Sequence, residues 1–135
     1  MATINRKTRQ YSDINLLFTA HPATADITKK TDEEAVKASI RNLIQTKNYE
    51  RPFHPEIGCQ VYGLLFENVN AVSVQIMRKT IFDVINKFEP RVGVLDVKIQ
   101  AEDVDRPNDL DVEITFIILN TERPITLSTT ISRVR

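Results

Sequence analysis

The residues able to do chemistry are few. His21, His54 and Cys59 are the only imidazole and thiol groups in the chain. A zinc site takes about three or four such ligands at set spacing, and a solvated loop histidine with a buried cysteine explains these residues as well. Thiol catalysis would need Cys59 activated by His54 in surroundings that stabilise a thiolate. Both sit in one proline-bearing loop, but cysteine is more often a small core residue. Glycoside hydrolysis needs two carboxyl groups at a fixed separation. Glu50, Glu56, Glu67, Glu89 and Glu102 are all candidates, and nothing in the sequence singles out a pair. Two further features suit binding rather than catalysis. Glu89-Pro90-Arg91 sets an acid and a base on either side of a rigid residue. The two charges can form a bidentate pair with each other or with a partner's charges; the plainer alternative is a helix-ending turn with two solvated charges. The alternation Ile125, Leu127, Thr129, Ile131 reads as a terminal strand. Its edge can accept a strand from another chain, or simply be capped.

These features must be positioned by elements that the pattern predicts. Residues 1–10 hold Arg6, Lys7 and Arg9 and read as a flexible basic arm, ahead of one domain spanning 11–135. Tyr11, Ile14, Leu16, Leu17 and Phe18 predict a short extended segment pinned to the core, and residues 19–30 a surface loop. Thr31 with Glu34 fits a capping box. Val36, Ile40, Leu43 and Ile44 then make one helical stripe. Between residues 49 and 59, Pro52 and Pro55 exclude regular helix. Gly58 marks a turn there, and Phe53 and Ile57 call for burial. The loop, with Arg51, Pro52, Phe53, Pro55 and Gly58, is therefore expected to be ordered. One helical turn is expected near Val61–Phe66. A long helix runs from Asn70, a good cap, through Val74, Met77, Ile81, Val84, Ile85 and Phe88. It stops at Glu89 because Pro90 disfavours helical geometry in the residue before it. Leu95, Val97 and Ile99, then Leu110 to Ile118, then Ile125 to Ile131 alternate with polar residues, as strands of an antiparallel meander do. Helices first and strands last predict an α+β fold, with N-terminal helices packed on a C-terminal antiparallel β-sheet in a single domain.

Composition agrees. The chain has 135 residues, 41% hydrophobic and 27% charged, which is the size and balance of one globular domain. Eighteen basic and eighteen acidic residues cancel. The cancellation is between unlike parts: residues 1–10 carry three bases and no acid, and residues 89–113 carry eight acids against three bases. Without one broad basic face, nucleic acid is not an expected partner. No apolar run approaches the roughly 18 residues that span a bilayer, and no apolar segment follows the basic opening. Neither membrane association nor a secretory signal is expected. Three glycines nearly exclude a glycine-rich phosphate loop, and the sparse His and Cys set disfavours a metal site; no cofactor, metal or small-molecule substrate is expected.

Four short motifs occur in order: Tyr11-Ser12-Asp13-Ile14, Arg51 to Cys59 (Arg-Pro-Phe-His-Pro-Glu-Ile-Gly-Cys), Leu65-Phe66-Glu67-Asn68 and Phe88-Glu89-Pro90-Arg91. Together they resemble the baseplate wedge protein of T-even-type contractile phages, the sheath initiator, a family with a counterpart in type VI secretion baseplates. The resemblance runs from Tyr11 to the C-terminus; His54 stands where the T-even pattern has Asp. It implies a structural, non-enzymatic part of the virion's tail baseplate, made in the host bacterial cytoplasm. It implies attachment to the wedge core through Glu89, Pro90 and Arg91. It also implies that Ile125, Leu127 and Ile131 belong to a sheet on which the first sheath ring docks by sharing strands. Other wedge proteins and the tail sheath protein are the implied partners, with the tail tube as a further candidate. The alternatives are a tail-associated lysozyme-like glycosidase and a type VI secretion baseplate subunit.

Overall fold

A computed structural model of the chain describes residues 11–65, 70–100, 109–119 and 123–132. The expectations for residues 1–10, for Phe66-Glu67-Asn68, for most of the connection before Leu110 and for the last three residues lie outside these. The architecture is mixed α+β and ends in an antiparallel three-stranded sheet, as the alternating C-terminal half predicts. Within this domain the chain forms two compact units, with the boundary between Ala38 and Ser39.

In the first unit, β1 (Ser12–Ile14) pairs antiparallel with β2 (Lys29–Thr31), and an Ala20–Ile27 bridge continues the ribbon. The second strand replaces part of the expected loop. Asn15 holds the ribbon together. Its Nδ2 donates to Thr19 Oγ1 at 2.7 Å and to Thr28 Oγ1 at 3.0 Å, and its Oδ1 accepts from Leu17 N. This local network sets the backbone, with Phe18 at φ 50°. Ile14, Leu16, Leu17 and Phe18 are consequently exposed, Leu17 to 80%. The segment is not pinned by its apolar side chains, contrary to expectation.

Helix α1 (Glu33–Gln45) starts with its cap one residue beyond the predicted Thr31. Thr31 closes β2, and the first helical carbonyl is that of Asp32, which accepts from Val36 N. Val36, Ile40 and Ile44 are fully buried along the predicted stripe.

In the second unit a short α2 (Val61–Leu64) precedes α3 (Ala71–Phe88). Asn70 caps α3: its Oδ1 accepts from Val72 N and Ser73 N, and Ser73 Oγ accepts from Asn70 N. These bonds satisfy donors that a helix start leaves unpaired. Met77, Ile81 and Ile85 are buried at helical spacing, and α3 packs on β3 (Val92–Gln100). Next come β4 (Asp109–Ile118) and β5 (Pro124–Ser132), in the order β3-β4-β5. Every second residue of β4 from Leu110 to Ile118 is buried, each large one contributing about 1.5–3 kcal/mol.

One strand departs from simple alternation. The β3–β4 register slips between Val94, opposite Phe116, and Asp96, opposite Thr115. Leu95 is the extra residue of a bulge, so it is 54% exposed, whereas Val97 is buried. A one-residue insertion changes which face each side chain meets.

Candidate functional site

The Glu-Pro-Arg turn sits where α3 passes into β3. Glu89 closes the helix, its N–H donating to the Ile85 carbonyl at 2.8 Å. Pro90 is exposed and Arg91 part-buried. The Glu89 side chain turns inward, leaving the residue 3% exposed. Its Oε1 accepts from Arg91 Nε at 2.5 Å, and its Oε2 accepts from an Arg91 terminal nitrogen at 2.7 Å. Oε2 also accepts from Ser39 Oγ on α1, at 2.5 Å. Burial pushes the Glu89 carboxyl pKa up, but the Arg91 and Ser39 hydrogen bonds and the Arg91 charge outweigh it and hold it below its ordinary value. Of the two pairings open to this turn, the structure contains the one between its own charges. Ser39 is the member that sequence reasoning missed. Nothing local marks it, because it meets Glu89 only through the packing of α1.

The second candidate feature is the outer edge of β5. Among the described residues, β5 pairs with β4 alone. Ile125, Leu127 and Ile131 are buried on the core face, while Pro124, Thr126, Ser128, Thr130 and Ser132 are exposed. The three predicted residues therefore set the strand's face and register, and what β5 offers outward is its backbone edge. From Pro124 to Ser132 it carries no charged side chain. The opposite outer strand is different, having a bulge together with Asp96 and Lys98. Bulges and charges are the devices by which sheet edges resist pairing.

The Arg51–Cys59 loop is ordered, as expected. Cys59 N donates to the Thr46 carbonyl at 2.8 Å and Tyr49 N to the Pro55 carbonyl at 3.0 Å, so the loop is tied to the end of α1. Phe53, however, is 97% exposed, and Arg51, Pro52 and Pro55 are exposed with it. Phe53 sits at φ 68° between Pro52 and His54, and backbone bonds rather than its burial hold the loop. Ile57 is half-buried. Exposed aromatic and apolar side chains on ordered backbone, here Tyr49 and Phe53, are the groups that anchor protein interfaces.

Among the described residues the catalytic candidates do not assemble. His54 Nδ1 faces Glu56 Oε1 at 3.1 Å, and no hydrogen bond joins it to Cys59. Cys59 is 1% exposed, and burial pushes its thiol up, away from the reactive thiolate. Glu50 accepts from the Lys47 N–H, Glu89 is occupied, and Glu67 and Glu102 lie outside the described residues. Among the described residues, no group of three or more His, Cys, Asp or Glu side chains could hold a metal ion, and no helix is long and apolar enough to cross a membrane. A cleft of about 620 Å³ is lined by polar groups, including Arg41, Gln45, Asp111 and Thr129. Its Asp111 already accepts from Thr130 Oγ1.

The family model for baseplate wedge protein gp25 matches residues 30–123. The baseplate wedge protein gp25 of Enterobacteria phage T4 is 30% identical over 120 residues, covering 89% of this chain and 86% of that protein. Two solved structures share the fold at 21% identity. A putative tail lysozyme from Geobacter sulfurreducens superposes with a TM-score of 0.70, over 76% of this chain and 92% of that one. A chain of the anti-feeding prophage baseplate does so at 0.63, over 93% and 87%.

Proposed function

The chain belongs to the gp25 family of baseplate wedge proteins, and from that premise we propose that it fastens to the wedge core through the Glu89-Pro90-Arg91 turn and starts tail sheath assembly by sharing strands along β5. It is a structural baseplate component. In this reading it resides in the virion's tail baseplate after synthesis in the host cytoplasm, beside other wedge proteins, the sheath protein and the tail tube.

The observation that carries the proposal is the contrast between the two outer strands. The β3 edge is blunted by a bulge and two charges, and the nine-residue β5 edge has neither. A long uncharged edge is a liability unless a partner covers it. An added strand gains main-chain hydrogen bonds in one register, so it can set the sheath's starting geometry. At the other site the internal Glu89–Arg91 pair gives the turn a fixed shape for docking.

A glycosidase has less support. Its proton donor needs a raised pKa, and the Glu89 and Glu56 carboxyls are both held low. For Glu56 a backbone hydrogen bond is the largest cause and His54 the next.

Sheath polymerisation from assembled baseplates tests the strand reading. Deleting Thr130 to Arg135 should stop it, but that also removes the buried Ile131. Thr126→Lys with Ser128→Lys, at exposed positions, charges the edge and leaves the core alone. Sheath that still grows from baseplates carrying the double variant sinks strand sharing. Arg91→Ala should abolish wedge incorporation, and normal incorporation sinks attachment through the turn. Because the substitution also strips the buried Glu89 carboxylate of its bidentate partner, circular dichroism of the isolated chain is read beside it.

A further inference from the structure

We infer that Ser39 is a positioning residue for Arg91, acting through the Glu89 carboxylate, an inference that rests on the attachment reading above. Three side chains from three places in the chain meet here. Ser39 stands in α1, Glu89 closes α3, and Arg91 leads into β3. The serine reaches the carboxylate from fifty positions away in sequence.

A carboxylate held by Arg91 alone keeps a soft terminal torsion, because sp³–sp² rotations have broad wells. The guanidinium would follow that rotation, since it is bonded to both oxygens. Ser39 Oγ donates to Oε2 only. That makes the two oxygens inequivalent and ties the guanidinium plane to the frame of α1. With Glu89 3% exposed, water has little access to replace the serine. A side chain already held in its docking geometry loses less rotamer freedom when a partner binds. The helix itself gives no reason for serine at this position, because alanine, present next door as Ala38, is the better helix former.

The test uses the full chain with Ser39→Ala, Ser39→Thr and Arg91→Ala. Two quantities are read: solvent exchange of the Arg91 Nε–H by NMR, and incorporation into sedimenting tail particles in cells that supply the remaining tail proteins. Ser39→Ala is expected to speed Nε–H exchange and cut incorporation by about tenfold each, equivalent to ~1.4 kcal/mol. Ser39→Thr, which keeps the hydroxyl, is expected to restore both. A serine with a merely structural role would lower the melting temperature without moving Nε–H exchange, and that result overturns the inference. So does full incorporation of Ser39→Ala when Arg91→Ala is lost from the particles; the attachment reading then stands. Full incorporation of Arg91→Ala overturns the attachment reading itself.

Discussion

Gly58 lies so close to Lys47 that a Cβ on the glycine would stand 2.8 Å from the lysine's carbonyl carbon and oxygen. Beside it, Cys59 N donates to the Thr46 carbonyl. The end of α1 and the exit of the Arg51–Cys59 loop are thus joined by a contact only glycine permits, since the obstructing atoms are backbone and cannot swing aside. Gly58→Ala should cost about 1–3 kcal/mol, the usual range for overpacking. Denaturant unfolding followed by circular dichroism measures it. A midpoint equal to the parent's would show that the loop relaxes freely.

Acid should loosen the Glu89 cluster. The Glu89 carboxyl lies below its ordinary value of 4.5 in the folded chain. A depressed folded-state value means that the unfolded chain takes up the proton first as pH falls. The stabilisation is therefore fully present above the ordinary value and is lost as pH falls through the lower, folded-state value. Thermal melts from neutral to acid pH should show this loss in the parent and a weaker dependence in Glu89→Gln. Identical pH profiles would remove Glu89 from the acid response.

The bulge at Leu95 predicts unequal neighbours. Leu95→Thr changes an exposed side chain and should leave stability within about 0.5 kcal/mol. Val97→Ala removes buried methyl groups and should cost about 2 kcal/mol. Equal losses in chemical denaturation would mean that β3 keeps regular alternation.

Phe53 offers the reverse dissociation of stability from assembly. At 97% exposure it contributes little to the fold, so Phe53→Ser should leave the unfolding midpoint unchanged within about 0.5 kcal/mol. If the exposed ring seats against a neighbouring baseplate protein, its truncation costs about 2 kcal/mol or more and incorporation into tail particles falls. A lowered midpoint with normal incorporation would assign Phe53 to the fold instead.

Much of the architecture was legible from short-range rules. The Asn70 cap, the stop at Glu89 before Pro90 and the alternation across β4 and β5 each depend on residues within a few positions, and each stands where predicted. The misses share a cause. Leu16, Leu17 and Phe18 are three apolar residues in a row, which fit neither a helical nor a strand period, and the Asn15 hydrogen bonds decide their direction. Phe53 looked like core from its type, but a left-handed backbone turns it outward. The extra residue at Leu95 shows only once β3 is aligned on β4.

The long helices, the C-terminal strands and the family motifs follow from the residues alone, because cap, proline and periodicity signals act over distances shorter than a turn or two; β2 (Lys29–Thr31) does not. Only the tertiary structure brings Glu89 inward onto Arg91 and onto a serine fifty positions away, and leaves β5, among the described residues, paired with β4 alone. Both outcomes depend on which elements become neighbours in space. That is set by the summed burial of the core, which no local pattern encodes.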